Sequence, residues 1–492
     1  MSVTSKYLFF AVCLSLLFIS SVCLPGNIFA ADLQGGNSVV DRNEQDSRND
    51  FTIVDTNIPI TGNGYLTNWS IYAKKTTKVQ LKIIRKEGSD YKVIGQSDLV
   101  TPILGNNQFD LASPIYIKFG DLVGLYFEQG GVVPFTLDSG SYSRGDLNGK
   151  TLFTESGINP DLDQIVPFSD SSDRTYSVVV NGIVEYKVDD DSLDCPEAAY
   201  TTIQDALTAA LPGETVQVCK GNYTGSIDVS KKGMTIVGLN SATETVVKAG
   251  NAGGKKYGFR LFADNVTIQN FTIRDADKEN SVGIIIGANK IIDPTSKNSN
   301  NNVIAGNVFD NNNYSIYAWQ SNKNVIKNNM IINGQNVSGV GVAVALVGNN
   351  NEISGNKFEN NNSAVIFVKD SKSGKITNNQ IIGSGAGQSQ IELNGVTNSS
   401  IATNMLRKGG FGIRLSSTSS NNKINTNSLE SCIIDGIRAE ENTKNNTIQM
   451  NMIKKSGSFD AHDSTSGIKK GVKNKWIMNM CSTSSPVGLC FK

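Results

Sequence analysis

The sequence predicts an all-β protein. An N-terminal antiparallel β-sandwich, jelly-roll-like, precedes a right-handed parallel β-helix that has an N-terminal capping helix. Three observations indicate this fold class. Apolar residues alternate with polar ones across residues 51–188, one amphipathic helix follows, and an isoleucine–asparagine pair then recurs at a period of about 24 residues.

Residues 1–30 are predicted to be a secretory signal peptide. Lys6 is the only charge in this segment, the run after it is nearly all apolar, and Ala30 offers a small residue for cleavage. An uncleaved N-terminal membrane anchor is the alternative, because the apolar run is long for a signal. After cleavage we expect a secreted, extracellular protein with no membrane segment. Residues 31–50 are rich in Gly, Asn and Asp and are expected to form a flexible leader.

Residues 51–188 carry the period-two alternation that is typical of strands. One predicted strand places Trp69, Ile71 and Ala73 on the same face, and Gly, Asn and Asp separate such runs. Several strands in one segment of this length fit a β-sandwich of jelly-roll type. Residues 189–194 begin with three aspartates and are predicted to be a charged linker.

The second domain, residues 195–492, opens with the only convincing helical pattern in the chain. Thr201 or Thr202 can cap the helix, and Pro212-Gly213 ends it. Its apolar stripe consists of Ile203, Ala206, Leu207, Ala210 and Leu211. An exposed β-helix end would present bare apolar surface and unpaired edge groups, so we expect this helix to cover the first coil.

The repeat that follows is the strongest signal in the sequence. Each of seven isoleucines is followed three residues later by an asparagine. These asparagines are Asn307, Asn329, Asn356, Asn379, Asn404, Asn427 and Asn451, and Trp476 with Asn479 fits an eighth turn. One coil of short strands cannot bury its apolar face, whereas stacked coils can. We predict that the asparagines turn the chain in the left-handed conformation and hydrogen-bond along the axis as a structural ladder.

Five cysteines lie outside the signal peptide. In an oxidising compartment the close pairs Cys195/Cys219 and Cys481/Cys490 are predicted to form disulfides. Cys432 is then left over, and we expect it to be a buried thiol.

Composition argues against several function classes. The chain has 45 basic and 45 acidic residues, so it carries no charge excess that would favour nucleic acid or an anionic membrane. His462 is the only histidine and there is no tight CxxC pair, so a zinc site is not expected. No cofactor is predicted, and nothing indicates an oligomeric state.

Several segments resemble known β-helix proteins. The stretches Tyr200–Ala210 and Pro212–Tyr223 are similar to the N-terminal cap of pectin-lyase-like proteins, and the Asn-rich coils resemble the repeats of the NosD/CASH-type group. The tail from Asp460 to Cys490 is similar to the closing coil of secreted members. The resemblance covers roughly residues 193–492 and implies the fold. It leaves activity open, because this superfamily contains lyases, hydrolases, epimerases, adhesins and proteins of unknown role.

Alternation within the middle strand of each coil predicts an outward-facing stripe. Aromatic rings stack on sugar faces, and cations pair with uronate carboxylates. We therefore predict a non-catalytic protein that binds a polysaccharide or cell-surface glycan. The predicted ligand-binding residues are Tyr317, Trp319, Phe367, Lys369, Glu392, Arg414 and Arg438. A solvated face with scattered aromatic residues is the alternative.

A polysaccharide lyase or epimerase acting on a uronate polymer is the second interpretation. Its candidate catalytic residues are Arg414, Arg438 and Glu392, since arginine can abstract an α-proton that Ca²⁺ on carboxylates acidifies. Asp275 and Asp277 are the candidate Ca²⁺ ligands. Two facts weaken this interpretation: the sequence has no His-Gly pair of the polygalacturonase type, and His462 lies in the closing segment. A purely structural surface spacer is the third interpretation.

Overall fold

The computed structural model describes residues 32–138, 143–144, 150–252, 255–287, 298–335, 337, 341–362, 364–465 and 473–491. The predicted signal peptide lies outside these ranges. Within them the regular structure is strand apart from one short helix, which confirms the all-β fold class. Across the same ranges, no helix is both long and apolar enough to span a membrane.

Antiparallel sheets form the first half of the protein. A four-stranded sheet runs in the order Asp32–Gly36, Val178–Val184, Gly64–Ala73 and Gly105–Ile117. A seven-stranded sheet runs in the order Asp90–Gln96, Val79–Glu87, Leu122–Phe127, Phe51–Asp55, Thr151–Thr154, Phe168–Ser172 and Ser143–Arg144. Phe135–Leu137 pairs with Arg174–Tyr176. Trp69 and Ile71 of the smaller sheet share one apolar core with Phe51, Leu81 and Phe127 of the larger one.

Residues 31–50 were expected to be a flexible leader, but within the described part of this segment residues 32–36 form a strand. Asp32–Gly36 is a strand paired with Val178–Val184, and the Leu33 side chain is buried in the apolar core. Asp32–Gly36 is therefore the edge strand of the four-stranded sheet, and Leu33 anchors it in the core. The Gly- and Asn-rich composition predicted a flexible segment, whereas part of it forms the edge strand of a sheet.

Three parallel sheets form the β-helix. The first consists of Tyr186–Val188, Thr215–Val218, Thr235–Gly238, Thr267–Gln269, Val303–Ala305, Val325–Lys327, Glu352–Ser354, Lys375–Thr377, Ser400–Ala402, Lys423–Asn425, Thr447–Gln449 and Lys475–Ile477. The second consists of Gly221–Thr224, Thr245–Lys248, Thr272–Arg274, Val308–Asp310, Met330–Ile332, Lys357–Glu359, Gln380–Ile382, Met405–Arg407, Ser428–Glu430 and Met452–Lys454. The third consists of Ile227–Val229, Lys255–Leu261, Val282–Gly287, Tyr314–Trp319, Val342–Val347, Ala364–Lys369, Ser389–Asn394, Phe411–Ser416, Asp435–Ala439, Phe459–Asp463 and Ser484–Ser485, with Gly250–Ala252 on its edge.

The repeat isoleucines stack in register in the first sheet. Ile304 pairs with Ile326, Ile326 with Ile353, and the series ends with Ile448 against Trp476. All of these isoleucines belong to one apolar core that runs along the β-helix axis. The recurring pair therefore marks one strand of each coil, as the period predicts.

The β-helix begins before the predicted boundary. Tyr186–Val188, which the sequence assigned to the sandwich, pairs in parallel with Thr215–Val218 as the first strand of the first sheet. Asp189, expected in a charged linker over residues 189–194, is fully buried. The apolar side chains of Tyr186 and Val188 complete the first coil, so the chain enters the β-helix directly from the sandwich.

A capping helix covers the first coil at Ile203–Ala209. The Thr202 hydroxyl accepts a hydrogen bond from the Asp205 backbone N–H at 3.1 Å, as an N-cap residue does. Ile203 and Leu207 are buried in the axial core. Disulfides join Cys195 to Cys219 beside this cap and Cys481 to Cys490 at the far end, the two pairs expected from the sequence.

The recurrent asparagines lie inside the β-helix and form a ladder. The Asn379 backbone N–H and Nδ2 both donate to Asn404 Oδ1, at 3.0 and 2.9 Å, and Nδ2 also donates to the Ile353 carbonyl. The same bonds join the whole series Asn307, Asn329, Asn356, Asn379, Asn404, Asn427, Asn451 and Asn479. Each asparagine is at most 2% exposed. From Asn329 onward each amide oxygen thus accepts two donors of the coil before it, whereas Asn307 accepts the Phe271 N–H alone.

The left-handed residue at this turn is not the ladder asparagine but the residue before it. Positive φ occurs at Gly306, Asn328, Gly355, Asn378, Thr403, Thr426, Met450 and Met478. The prediction that the ladder asparagine itself adopts this conformation was wrong. The chain turns one residue earlier, and the asparagine amide then points into the β-helix.

Candidate functional site

The predicted outward stripe lies on the third sheet. Strand pairing places one residue of each coil in register, and we call the following seven residues the outer row: Tyr317, Ala345, Phe367, Glu392, Arg414, Arg438 and His462. Trp319 and Lys369 occupy equivalent places in a neighbouring row. The predicted residues therefore share one face, but their exposure differs along it.

The aromatic end of the outer row is largely covered. Tyr317 is 8% exposed and packs in a cluster with Tyr257, Ile285 and Tyr314. Burial raises the pKa of Tyr317 to about 12. Trp319 lies parallel to the Tyr317 ring, with centroids 6.4 Å apart, and is only partly buried. The expectation that Tyr317 faces solvent as a ligand anchor is thus corrected, because neighbouring aromatic side chains cover its ring.

The middle of the outer row is more open. Phe367 is half-buried and Lys369 is exposed. Lys369 Nζ lies 3.9 Å from Asp370 Oδ2, a loose pair on the surface. Phe367 is in register with Glu392, where the charged end of the row begins.

Two arginines and three carboxylates meet at that end. Arg414 Nε lies 2.9 Å from Glu440 Oε1, and Arg414 Nη1 lies 3.9 Å from Glu392 Oε2. Arg438 Nε approaches the same Glu440 oxygen to 2.9 Å, and its Nη1 donates to Asp435 Oδ2 at 3.3 Å. Together with His462 we call these residues the arginine cluster. Each arginine is therefore held between two carboxylates.

His462 belongs to this cluster, which the sequence interpretation did not foresee. It is in register with Arg438, and its Nδ1 lies 2.9 Å from Asp435 Oδ2. Its Nε2 lies 3.3 Å from Ser464 Oγ, and the Phe459 ring meets the imidazole edge-on at 5.2 Å. The imidazole is thus oriented by a buried carboxylate and lies beside a guanidinium.

An aromatic ring also supports the arginines. The Phe411 ring centroid lies 5.2 Å from the Arg414 guanidinium carbon and 5.7 Å from that of Arg438. Phe411 and Asp435 were not predicted as site residues. Both stand three positions before an arginine of the outer row, so this spacing is the signal that could have identified them.

Glu392 is fixed by two hydroxyl groups. Ser389 Oγ donates to its Oε2 at 3.2 Å and Ser416 Oγ to its Oε1 at 3.1 Å. The side chains of Arg414 and Arg438 remain 32% and 27% exposed. The cluster therefore presents oriented donors and acceptors that a bound molecule can reach.

The candidate Ca²⁺ ligands Asp275 and Asp277 are not part of this arrangement. Asp275 directly follows the strand Thr272–Arg274 of the second sheet, and its Oδ1 accepts a hydrogen bond from Asn311 Nδ2 at 3.0 Å. Arg274 and Lys248 lie 3.7 and 3.9 Å from its carboxylate. These contacts account for Asp275 as a local ion-pair partner. It lies several coils before the arginine cluster along the β-helix.

The fold and its outward face define the class: this is a parallel β-helix protein with an added antiparallel sandwich. A family model described as periplasmic copper-binding protein (NosD) matches residues 205–389 and 294–485, and the chain belongs to this family. No curated protein gives a significant match.

Solved structures that resemble the chain include carbohydrate-active enzymes of low identity. An alginate lyase from Paenibacillus sp. is 15% identical with a TM-score of 0.42, over 57% of this chain and 95% of that one. A mannuronan C-5 epimerase A-module from Azotobacter vinelandii is 15% identical with a TM-score of 0.41, over 57% and 96%. A GH87 α-1,3-glucanase from Streptomyces thermodiastaticus is 12% identical with a TM-score of 0.34, over 93% and 96%.

Proposed function

We propose that this protein works outside the cytoplasm and binds a polysaccharide along the outer row, with the arginine cluster as the centre of the site. The observation that carries the proposal is the stacking of Glu392, Arg414, Arg438 and His462 on successive coils, beside the ring of Phe411. Coils about 4.8 Å apart offer an extended polymer a new polar side chain at each step. Two disulfides and the family's periplasmic description support export.

The charge balance favours recognition of hydroxyl groups over recognition of a carboxylate. The three carboxylates of Glu392, Asp435 and Glu440 outnumber the two guanidiniums of Arg414 and Arg438, so the cluster has no positive excess. Guanidiniums already paired with carboxylates have less to gain from a uronate. Sugar hydroxyls can donate to the carboxylates and accept from the guanidiniums at the same time.

Substitution of Arg414 tests the proposal. After a glycan array of neutral and uronate-containing oligosaccharides has identified a ligand, Arg414→Ala should weaken binding by about 1–3 kcal/mol, the range of a central anchor. Arg407→Ala is the matched control. Arg407 is also a surface arginine paired with a glutamate, Glu430 at 3.6 Å, but it lies on the second sheet.

Three outcomes distinguish the interpretations. Loss of binding with Arg414→Ala and retention with Arg407→Ala supports the site. Formation of unsaturated products that is abolished by Arg414→Ala or His462→Ala would establish the lyase interpretation instead. Absence of binding to any glycan would leave the structural spacer.

Copper(I) binding is a second candidate function, favoured by four methionines and by the family description. Met450 and Met452 flank one ladder asparagine, and Met478 and Met480 flank the next one along the axis. Isolated bridge pairing joins Met452 to Met480, and all four side chains are 44–59% exposed. Thioethers are soft ligands that select Cu(I).

Two other candidate copper ligands, His462 and Cys432, are less suitable. His462 is held by Asp435, and Cys432 is 2% exposed, with a pKa raised to about 12 by burial and by the charges of Asp460 and Asp435. A buried protonated thiol is a poor metal ligand. The four methionines are therefore the residues that would hold copper. The protein would then carry the copper ion at the turns between the first and second sheets.

A chelator competition assay tests this second candidate. Met452→Leu/Met480→Leu should abolish Cu(I) retention against a chromogenic Cu(I) chelator, since leucine keeps the size but lacks sulfur. Met405→Leu is the control, because Met405 is a similarly exposed methionine two coils before Met452 on the same sheet. Equal Cu(I) retention by all three proteins would exclude this site.

A further inference from the structure

Three consecutive aspartates lie where the chain enters the β-helix. One carboxylate oxygen from each of Asp189, Asp190 and Asp191 lies within 4.8 Å of the others. Asp189 is fully buried, Asp190 is partly buried and Asp191 is exposed. The three residues follow Tyr186–Val188, the first strand of the first sheet.

Two buried oxygens of this triad lack a protein partner. Asp189 Oδ2 accepts from the backbone N–H groups of Asp194 at 3.1 Å and Cys195 at 2.7 Å, but Asp189 Oδ1 finds no donor among the described residues. Asp190 Oδ2 accepts from the Asn222 N–H at 3.0 Å, and Asp190 Oδ1 is likewise buried and without a donor in the described chain. Buried carboxylate oxygens without partners cost free energy unless a cation or donor meets them.

No ion pair within the described ranges includes a carboxylate of the triad. Lys220 pairs with Asp194 at 2.7 Å and interacts with Asp191 only at longer range. The Tyr223 hydroxyl lies 3.4 Å from the carbonyl oxygen of Val188, the residue directly before Asp189. Concentrated negative charge thus remains at the junction.

We propose that Asp189, Asp190 and Asp191 bind a Ca²⁺ ion that ties the first strand of the β-helix to its disulfide-linked cap. All the available ligands are oxygens, which hard cations prefer. Ca²⁺–oxygen bonds of about 2.3–2.6 Å allow ligands on opposite sides of the ion to be nearly 5 Å apart, which accommodates the observed separations, whereas Mg²⁺ demands a tighter shell. The Cys195 N–H donates to Asp189, and the Asn222 N–H donates to Asp190. Cys195 also forms the disulfide with Cys219 beside the capping helix.

Ca²⁺ binding to the whole protein is the direct test. After treatment with EDTA, the wild-type protein should bind one Ca²⁺ in isothermal titration, and Ca²⁺ should raise its unfolding midpoint by a few degrees where an equal concentration of Mg²⁺ does not. Bound Tb³⁺ should luminesce through the neighbouring Tyr223, and added Ca²⁺ should quench that signal by displacement. Asp189→Asn/Asp190→Asn should lose all three effects.

The matched control is Asp275→Asn/Asp277→Asn, which removes the same charge from a different acidic pair and should bind Ca²⁺ normally. If the Asp189→Asn/Asp190→Asn protein does not fold, Asp191→Asn, at the exposed member, should still weaken Ca²⁺ binding at least tenfold. The proposal is overturned if the wild-type protein binds no Ca²⁺, or if the Asp275→Asn/Asp277→Asn protein loses Ca²⁺ as completely as the triad variants. Glycan binding by the wild-type protein is measured separately, so either result stands without the other.

Discussion

The arginine cluster is organised before any ligand arrives. Glu440 Oε1 contacts both Arg414 and Arg438, and Ser389 and Ser416 hold Glu392. Because free arginine side chains carry about 2 kcal/mol of rotamer entropy, fixing them in advance lowers the cost of binding. Exposed ion pairs by themselves contribute about 0–1 kcal/mol to stability. Such a network is therefore worth more to recognition than to folding.

Part of this site could be predicted from the sequence. The period predicts that Arg438 stacks on Arg414, and the same 24-residue step leads from Arg438 to His462. His462 was overlooked because the closing segment was interpreted separately from the coils. The burial of Tyr317 could not be predicted, since it depends on how Tyr257 and other side chains pack across coils. Register follows from periodicity, whereas exposure depends on neighbours distant in the chain.

Lys82, in the sandwich, leads to a prediction about pH. Its side chain is fully buried and Nζ donates to Gln96 Oε1 at 2.6 Å and to the Pro160 carbonyl at 2.7 Å. Burial lowers the pKa of Lys82 to about 8, against the opposing charge of Asp161. Between that pKa and the value near 10.5 of the unfolded chain, the unfolded state binds more protons. The free energy of unfolding should therefore rise by about 1–2 kcal/mol from pH 8 to pH 9.5.

Denaturant titrations of the sandwich transition across this range measure the effect. Below pH 8 the cost of charging Lys82 is fully present, so stability there should be flat with respect to this group. Lys82→Met removes the titrating amine and should abolish the rise. Lys92→Met is the control, because Lys92 is a lysine on the neighbouring strand whose side chain is 33% exposed. An unchanged slope in Lys82→Met would contradict the assignment.

At the scale of elements, asparagine ladders organise the coils. The ladder that includes Asn379 was visible in the sequence because the same residue recurs at every coil. A second internal ladder joins Asn302, Asn324 and Asn351. It is interrupted at Gly374, which has no side-chain acceptor, and resumes with Ser399 and Asn422 on the following coils. Because a serine hydroxyl accepts a backbone N–H as an amide oxygen does, Ser399 takes part in this ladder without repeating the asparagine.

The principal ladder should contribute strongly to stability. In Asn379→Leu/Asn404→Leu the Asn356 N–H and Nδ2 lose their acceptor, and the Ile353 carbonyl loses its donor. Buried groups left without partners cost about 1–3 kcal/mol each, so the free energy of unfolding of the β-helix should fall by at least 3 kcal/mol. Urea titration followed by circular dichroism measures the change.

A surface asparagine provides the control for the ladder. Asn425 lies in the same sheet region, but its Nδ2 bonds only to the exposed Thr426 hydroxyl among the described residues. Asn425→Leu should change stability by less than about 0.5 kcal/mol. Equal midpoints for the ladder double variant and the wild type would show that these amides do not support the coils.

At the scale of the whole molecule, the two halves are joined without a free linker. Glu185 is the single residue between Val178–Val184 of the sandwich and Tyr186–Val188 of the β-helix. Lys187 Nζ lies 3.1 Å from Glu185 and 2.9 Å from Glu197 of the cap region. The Tyr116 hydroxyl donates to the Glu197 carbonyl, so the sandwich also contacts the cap directly. The domain boundary that composition predicts, at Asp189, Asp190 and Asp191, therefore falls inside the first coil of the β-helix.

We therefore propose that the β-helix unit begins at Tyr186 rather than at Cys195. A fragment from residue 186 retains the strand that pairs with Thr215–Val218, whereas a fragment from residue 195 exposes that edge and loses the buried side chains of Tyr186 and Val188. Burial of each such side chain contributes about 1.5–3 kcal/mol, so the shorter fragment should be less stable by roughly 3–6 kcal/mol.

Thermal unfolding of both fragments, compared with the full chain, measures this difference in stability. The disulfide Cys195–Cys219 is present in both fragments, so it does not affect the comparison. Equal melting temperatures would place the boundary at the aspartates, as composition suggests. A lower melting temperature for the shorter fragment would mean that the β-helix starts within the last strand assigned to the sandwich.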